Sequence, residues 1–352
     1  MIYLVSPSSL REWFEAFCEK SSRDRVHFIG NNPAESVTSL LNQIEPSSWD
    51  DDEHVVVYAS HESLARDGEL AGHLSAMGYR VTYQSKEAIR IGCDKVAMKR
   101  FFREHGFPTP AWWVSSEASR DHSATWNLVV AKGRQGTEGR SNRMISNGNG
   151  QPADEEFAER FVHGDEYSVN VFRTAQEVTA FPPVWKGMTR TDLRPPYQRL
   201  RLCPYDSLDY AAGEEMTVAA VRLANLLKAT GFLEVEFVLT TEGALILEVN
   251  PRISGTMRIS AMATDTKILS FPAYQTLPPR LRPMLYAAEL PYHGPPVRST
   301  EAQVYCTSRL TVSGASLSEV RQKLGALERA GTVPDAEAVR DLDRCLAAAQ
   351  SR

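Results

Sequence analysis

Two acidic side chains and an asparagine occur in strand-like segments that are otherwise apolar. Glu236 lies in the run Glu-Val-Glu-Phe-Val-Leu, and Glu248 and Asn250 lie in Leu-Ile-Leu-Glu-Val-Asn-Pro-Arg, which ends at Arg252. Side chains two residues apart share one face of a strand, so Glu248 and Asn250 point the same way. Arg252 joins them if the extended geometry continues. A short hairpin would place Glu236 opposite Glu248.

Carboxylate and amide oxygens in this arrangement suit Mg²⁺ better than zinc or copper. Magnesium that is bound by few protein groups shares its remaining positions with water and substrate phosphates. The alternative is an ordinary ion pair between surface carboxylates and Arg252. We favour the metal site because a carboxylate within an apolar strand must be paired or bind a cation.

A lysine followed by a glycine-rich segment is the second feature that could do chemistry. Lys132 follows the strand-like residues 128–131 and precedes Gly-Arg-Gln-Gly-Thr-Glu-Gly at residues 133–139. Glycines let a backbone approach an anion closely, and free N–H groups can bind phosphate oxygens. The spacing is not that of a P-loop, and a plain glycine-rich hairpin explains the segment equally well. Lys95 follows Asp94, a residue type that begins helices, and the alternative there is a solvent-exposed lysine.

Four motifs, in this order, resemble the ATP-grasp superfamily over residues 94–265, about half of the chain. They are Cys-Asp-Lys before a helix, Val-Val-Ala-Lys with Gly-Thr-Glu-Gly, Glu-Arg-Phe-Val with Gly-Asp-Glu-Tyr-Ser-Val, and finally Glu236 with Glu-Val-Asn-Pro-Arg-Ile-Ser-Gly-Thr. Each motif alone is modest, whereas the four at these spacings are specific. The resemblance implies the carboxylate–amine ligase type, which includes amino-acid ligases, biotin carboxylase and the large chain of carbamoyl-phosphate synthase.

The resemblance also implies a role for each matching residue. Lys95 and Lys132 match the lysines that contact the α- and β-phosphates of ATP. Lys132 is also a catalytic candidate, together with Arg252, which matches the cation that stabilises the transferring phosphoryl group. Two Mg²⁺ ions, for which Mn²⁺ could substitute, would be bound by Glu236, Glu248 and Asn250. The other implied ATP-binding residues are the flap residues Gly136, Thr137, Glu138 and Gly139, the adenine-reading Glu159, Phe161 and Val162, and the ribose-binding Glu166.

The pattern of apolar residues predicts the elements that position these groups. Short apolar strands alternate with helical segments through residues 1–92, which predicts a doubly wound parallel sheet. No GxGxxG follows the first strand, so nothing indicates a dinucleotide site there. The predicted fold class is α/β, with this domain followed by the two-lobed α+β ATP-grasp domain that the resemblance implies. The predicted divisions are 1–92, a linker helix with the small lobe at 93–166, a large lobe at 167–290, and a C-terminal strand and helices at 291–352.

Two segments carry separate predictions. Residues 154–161 have the spacing of a short helix, whereas residues 181–204 are basic, broken by prolines and predicted to be irregular. A loop of that length is usually functional or disordered, so it is either a solvated loop or an anion clamp for substrate. The candidate substrate residues are Lys186, Arg190, Ser254, Gly255 and Arg258. For Arg258, an ordinary surface arginine is the alternative.

Composition excludes several classes of protein. The 352 residues carry 39 Lys and Arg against 44 Asp and Glu, a net charge of −5, so the basic excess typical of nucleic-acid binders is missing. The five cysteines are widely spread without a CxxC pair, which favours a reducing cytoplasmic setting over disulfides or a zinc knuckle. No uncharged apolar stretch approaches the 18 residues or so of a membrane span.

These observations predict an ATP-dependent carboxylate–amine ligase, an enzyme that releases ADP and phosphate. Its expected substrates are a small carboxylic or amino acid and an amine, in specialised biosynthesis. Alternatives from other classes are an ATP-grasp kinase, an enzyme that loads a carrier-protein thiol, and a non-catalytic nucleotide sensor. A homodimer is expected by analogy with similar proteins.

Overall fold

The structure, a computed structural model, describes residues 2–7, 26–32, 34–44, 54–58, 63–115, 128–136, 142–146, 152–268, 278–293, 302–305 and 309–351. The strands in these ranges are β1 (Ile2–Pro7), β2 (Val26–Asn31), β3 (His54–Val57), β4 (Arg80–Thr82), β5 (Trp112–Trp113), β6 (Leu128–Gly133), β7 (Arg143–Ser146), β8 (Glu156–Arg160), β9 (Asp165–Arg173), β10 (Val178–Ala180), β11 (Val184–Met188), β12 (Arg201–Cys203), β13 (Gly231–Thr240), β14 (Gly243–Asn250), β15 (Tyr286–His293), β16 (Ala302–Tyr305), β17 (Arg309–Gly314) and β18 (Val333–Pro334). The helices are α1 (Val37–Leu41), α2 (Leu64–Ala76), α3 (Lys86–Cys93), α4 (Lys95–Glu104), α5 (Tyr210–Leu226), α6 (Met257–Ala263), α7 (Leu317–Arg329) and α8 (Ala336–Gln350).

The first four strands form a parallel sheet in the order β2-β1-β3-β4. Parallel neighbours need crossover connections, which are usually helices, and α2 connects β3 to β4 in this way. The apolar face of α2, with Leu70 and Leu74 fully buried, packs in the same core cluster as Val55 and Val57 of β3. The parallel sheet predicted for the N-terminal residues is therefore confirmed in the part of the chain that the structure describes.

A small antiparallel sheet follows, in the order β5-β8-β6-β7. The helix predicted at residues 154–161 is wrong, because Glu156–Arg160 is the strand β8. This strand pairs with β6 on one side and with β5 on the other. Backbone pairing on both sides outweighs the helical spacing of its side chains, since tertiary context routinely overrides local propensity.

The third sheet has ten strands, with the main order β14-β13-β9-β11-β12-β15-β17-β16. Strands β9 and β13 lie inside it and are buried along most of their length. The C-terminal strands belong to this same sheet, and β15 runs across the boundary predicted at residue 290. The sheet therefore links the middle of the chain to its C-terminal part.

The segment at residues 181–204 was predicted to be irregular, which is wrong in part. It contains β11, a short 3₁₀ helix at Pro196–Gln198, and β12. Its prolines fall outside both strands. The partner of β12 is β15, which is distant in sequence, so the local pattern did not reveal that pairing.

Helix α4 begins at the residue that the sequence predicts. The Asp94 side chain accepts hydrogen bonds from Val96 N at 2.8 Å and Ala97 N at 3.2 Å, an N-cap. Burial opposes ionisation of Asp94, but Arg134 and these two N–H groups outweigh it and hold the pKa of its carboxyl below the usual range. Lys95 thus stands at the first helical position, and its backbone N–H donates to Arg134 O at 2.9 Å.

Among the residues that the structure describes, no helix combines the length and the apolar character needed to cross a bilayer.

Gly164 connects the small and large antiparallel sheets and has no room for a side chain. A Cβ there would lie 2.2 Å from Leu239 O and 2.9 Å from Val238 Cγ2. We expect Gly164→Ala to lower the free energy of unfolding by about 1–3 kcal/mol, the usual effect of overpacking. Gly72→Ala is the control, because a Cβ at that exposed helical position meets nothing within 4 Å. It should raise stability by roughly 0.5–1 kcal/mol. Denaturant melts of both variants test this, and equal stability of the two would contradict it.

Candidate active site

The two carboxylates predicted to bind metal stand opposite each other. Strands β13 and β14 are antiparallel, and Glu236 pairs with Glu248. Next to this pair the register shifts, which leaves Leu247 as an extra residue in β14, and such bulges re-aim neighbouring side chains. The Glu236 and Glu248 side chains are 25% and 26% exposed, so both are accessible to a ligand.

Asn250 is held by hydrogen bonds in a fixed orientation beside this pair. Its Nδ2 donates to Glu234 at 3.1 Å and to Glu236 at 3.2 Å, whereas its Oδ1 accepts from Arg252 Nη2 at 3.2 Å. Glu234 in turn accepts a hydrogen bond from Thr256 Oγ1. The amide oxygen therefore faces Arg252, while the amide nitrogen is bound to the buried carboxylate of Glu234.

Two lysines neutralise the paired carboxylates. Lys186 Nζ lies 2.6 Å from Glu236, and Lys95 Nζ lies 3.6 Å from Glu248. Burial opposes ionisation of Glu236, but Lys186 outweighs it and holds the pKa of the carboxyl below its usual range. Glu236 therefore stays ionised at neutral pH, as a metal ligand must.

The donor set fits the ion that the sequence predicts. Glu236 and Glu248 supply carboxylate oxygens, the donors that hard cations such as Mg²⁺ prefer, whereas the Asn250 amide presents its nitrogen to Glu236 and its oxygen to Arg252. The lysines that neutralise the carboxylates differ in exposure, since the Lys186 side chain is buried and that of Lys95 is 12% exposed. The three ligands and the number of ions remain predictions.

A second cluster of charges lies at the junction of α4 with the small sheet. The Glu159 carboxylate contacts two ammonium groups, those of Lys132 and Lys99. Lys99 also donates to Thr109 Oγ1 at 2.6 Å. Burial, only partly offset by Glu159, lowers the pKa of Lys99 to about 8. The Glu159 carboxylate holds Lys132 in place from β8, the strand that directly precedes the predicted adenine-reading residues Phe161 and Val162.

The predicted nucleotide residues lie along the end of β8 and the start of β9. Phe161 N donates to Leu128 O at 3.0 Å, so it is bound within the sheet. The N–H of Val162 has no hydrogen-bond acceptor among the described residues. Glu166 accepts from Arg199 Nη2 at 2.9 Å. Gly136 adopts a positive φ of 101°, whereas Thr137, Glu138 and Gly139 lie outside the described residues.

The candidate substrate residues do not form one group. Lys186, Ser254, Gly255 and Arg258 lie on or over the face of the large sheet that carries Glu236. Ser254 donates to Asn170 at 2.9 Å and Arg258 contacts Glu289, so Arg258 is a buried residue and not a surface arginine.

Arg190 lies elsewhere. It is bound to Asp192 and, at 2.6 Å, to Glu337 of α8. Two carboxylates already neutralise Arg190 at this place, and its role in substrate binding remains a prediction.

Two charged residues of the site were not predicted. Lys99 is almost fully buried on the face of α4 that also carries Met98 and Phe102. Glu234 is buried two residues before Glu236. The signal for both was present, since a charged residue among apolar neighbours must find a partner.

Comparison with known proteins shows which sequence family the residues of this site resemble. Residues 93–256 match the sequence model described as ATP-grasp domain. The chain carries an ATP-grasp domain. It is 25% identical over 179 residues to carbamoyl-phosphate synthase of Methanobrevibacter smithii, covering 48% of each chain. It is 28% identical over 138 residues to D-alanine–D-alanine ligase of Acidovorax ebreus, covering 36% of this chain and 42% of that one. The chain thus spans about half the length of these curated relatives.

Solved ATP-grasp structures share the fold over nearly the whole chain. Biotin carboxylase from Campylobacter jejuni superposes with a TM-score of 0.72 at 12% identity, covering 97% of this chain and 95% of that one. N5-carboxyaminoimidazole ribonucleotide synthetase from Thermus thermophilus gives a TM-score of 0.67 at 16% identity, covering 94% and 98%. At these identities the likeness concerns the fold, which confirms the predicted fold class.

We expect Glu159→Gln to destabilise the protein by about 3–5 kcal/mol, because the change leaves two buried lysines without a carboxylate. The control is Glu156→Gln in the same strand, whose partner Arg143 has a side chain 49% exposed. An exposed ion pair contributes little, so Glu156→Gln should leave stability almost unchanged. Denaturant unfolding compares the two, and a Glu159→Gln variant as stable as the control would contradict the prediction.

Proposed function

We propose that this ATP-grasp chain is an ATP-dependent carboxylate–amine ligase. The observation that carries the proposal is the opposed pair Glu236 and Glu248, with Asn250 fixed beside them and Arg252 bound to the Asn250 amide oxygen. This arrangement can neutralise the charge of a transferring phosphoryl group. The relatives carbamoyl-phosphate synthase and D-alanine–D-alanine ligase support a ligase in general terms.

The proposed reaction gives the carboxylate substrate a better leaving group. A carboxylate is a poor electrophile because its oxygen does not leave. Transfer of the γ-phosphoryl group of ATP to a carboxylate oxygen releases ADP and forms an acyl phosphate. The amine then attacks the acyl carbon, phosphate leaves, and the amine loses a proton, so an amide, ADP and phosphate are the products.

Most of the catalysis in such a transfer is positioning and charge neutralisation. Lys132, fixed by Glu159, and Lys95, at the start of α4, would bind phosphate oxygens. Arg252 would bind the transferring group while Asn250 holds its guanidinium. Glu236, Glu248 and Asn250 would hold Mg²⁺, which would supply further neutralisation of the phosphate charge.

The nucleotide base would bind at the end of β8. The free N–H of Val162 can donate to the acceptor edge of an adenine, and Glu166 can accept from a ribose hydroxyl. Arg199, bound to Glu166, keeps that carboxylate in place. The proposal also includes two Mg²⁺ ions and a homodimer. Its substrates are small amino-acid-like molecules of specialised biosynthesis.

Glu248→Gln tests the site directly. Loss of one electrostatic contact of this type typically lowers the rate by about 10² to 10³, and we expect the variant to lose ADP release to at least that extent. The assay supplies Mg²⁺-ATP with pooled amino acids and small carboxylates. Mass spectrometry should find a product equal to two components minus water. Glu242→Gln, in the exposed turn of the same hairpin, should keep wild-type turnover, and retained turnover in Glu248→Gln would overturn the proposal.

The chemical class of the acceptor can be tested by trapping the activated acid with hydroxylamine. With hydroxylamine in place of the amine, a ligase should give a hydroxamate of the activated acid and release ADP. A kinase would instead give a stable phosphorylated product and no hydroxamate. Turnover only when a carrier protein is added, with a thioester as product, would identify a thiol acceptor and contradict the amine.

A further inference from the structure

Three arginines surround one glutamate on the same face of the large sheet. Glu289 of β15 lies 2.6 Å from Arg201 Nη2 and 3.7 Å from Arg309 Nη1, and it contacts Arg258 of α6. Arg201 and Glu289 are paired across neighbouring strands, whereas Arg258 reaches the pair from the helix above. Glu289 is thus a carboxylate that the three guanidinium groups share.

Arg201 is the member of this cluster with unused binding capacity. It is 4% exposed, and its Nε has no hydrogen-bond partner in the part of the chain that the structure describes. Burial, followed by the charge of Arg309, lowers the pKa of Arg201 well below its usual range. Glu234 and Glu236 oppose that effect, but they are bound to Asn250, Thr256 and Lys186. A buried guanidinium in this position is stabilised by an additional anion.

Two of these arginines converge on one glycine of the backbone. A Cβ at Gly255 would lie 3.3 Å from Arg201 Nη1 and equally 3.3 Å from Arg309 Nη1, which is tighter than ordinary van der Waals contact. Both guanidinium ends therefore reach one point beside the glycine, and a larger residue there would press against them.

This point lies next to the candidate metal site. Strand β12 pairs with β11 through Trp185 and Leu202, so Lys186 and Arg201 are cross-strand neighbours on one face. Lys186 contacts Glu236. A molecule whose carboxylate is activated beside Glu236 and Arg252 can therefore extend along the sheet to Arg201.

We propose that Arg201, together with Arg258 and Arg309, binds a second oxyanion of the substrate, a carboxylate or phosphate group that is not itself activated. The substrate class is then a small acid with two anionic groups. This inference rests on the proposed function only in naming the ligand a substrate, since the oxyanion site is defined by the arginines alone.

Titration calorimetry on the full chain tests the site without turnover. The probes are succinate and inorganic phosphate, each added with saturating ADP so that Lys95 and Lys132 are occupied. The wild type should bind one of them, and Arg201→Met should weaken that binding roughly tenfold or more. Arg280→Met removes the same charge from a surface arginine that is paired with Glu214, and it should bind as the wild type does.

Comparing the binding of succinate with that of phosphate shows which kind of anionic group the site prefers. Preference for succinate identifies a carboxylate, and preference for phosphate identifies a phosphate group. If the wild type binds neither, or if Arg201→Met binds as the wild type does, the inference is overturned.

The variant Glu289→Gln distinguishes anion binding by the arginines from a purely structural role of this cluster. Removing this carboxylate leaves the arginines without the anion they share, so the variant should bind its probe more tightly than the wild type, despite any loss of stability. Weaker or unchanged binding would overturn the inference. Failure of the proposed function is a separate result, because ADP binding and ADP release are measured independently of both probes.

Discussion

Repulsion between Glu236 and Glu248 is the constraint on which the rest of the site depends. Two ionised carboxylates opposite each other on a hairpin repel, and a folded chain must neutralise them. The neutralising charges come from separate parts of the chain: Lys95 from the start of α4 and Lys186 from β11. Each of these contacts joins one element to the hairpin, so the requirement for cations also fixes how the elements meet around it.

In the small sheet, the charges that must be neutralised are positive instead of negative. Glu159 is one carboxylate between Lys132 and Lys99, which leaves a net positive charge in a buried place. In the large sheet, Lys186 and Lys95 already offset the charges of Glu236 and Glu248. A polyphosphate with a divalent cation is complementary to both clusters, because its anionic oxygens suit the lysines and its cation suits the carboxylates. The charge imbalance around Glu159 is what indicates an anionic ligand.

The sequence predicted what depends on local pattern and failed where partners are distant. The two-residue period of β14 predicted the shared face of Glu248 and Asn250, and Asp94 predicted the start of α4. It did not predict that β8 is a strand, because its hydrogen bonds go to β5 and β6. It also missed Glu234 and Lys99, whose roles appear only when their partners are brought together by the fold.

The basic segment at residues 181–204 shows why a run of charges does not define one site. Arg190 and Arg194 bind Glu337 and Asp335 at the start of α8, where carboxylates also suit the helix N-terminus. Arg199 binds Glu166 beside the predicted ribose position, and Arg201 faces Glu289. The C-terminal helix therefore fixes the outer half of the segment. Because that half is anchored, its inner half can present Arg199 and Arg201 at fixed positions on the sheet, which a solvated loop could not do.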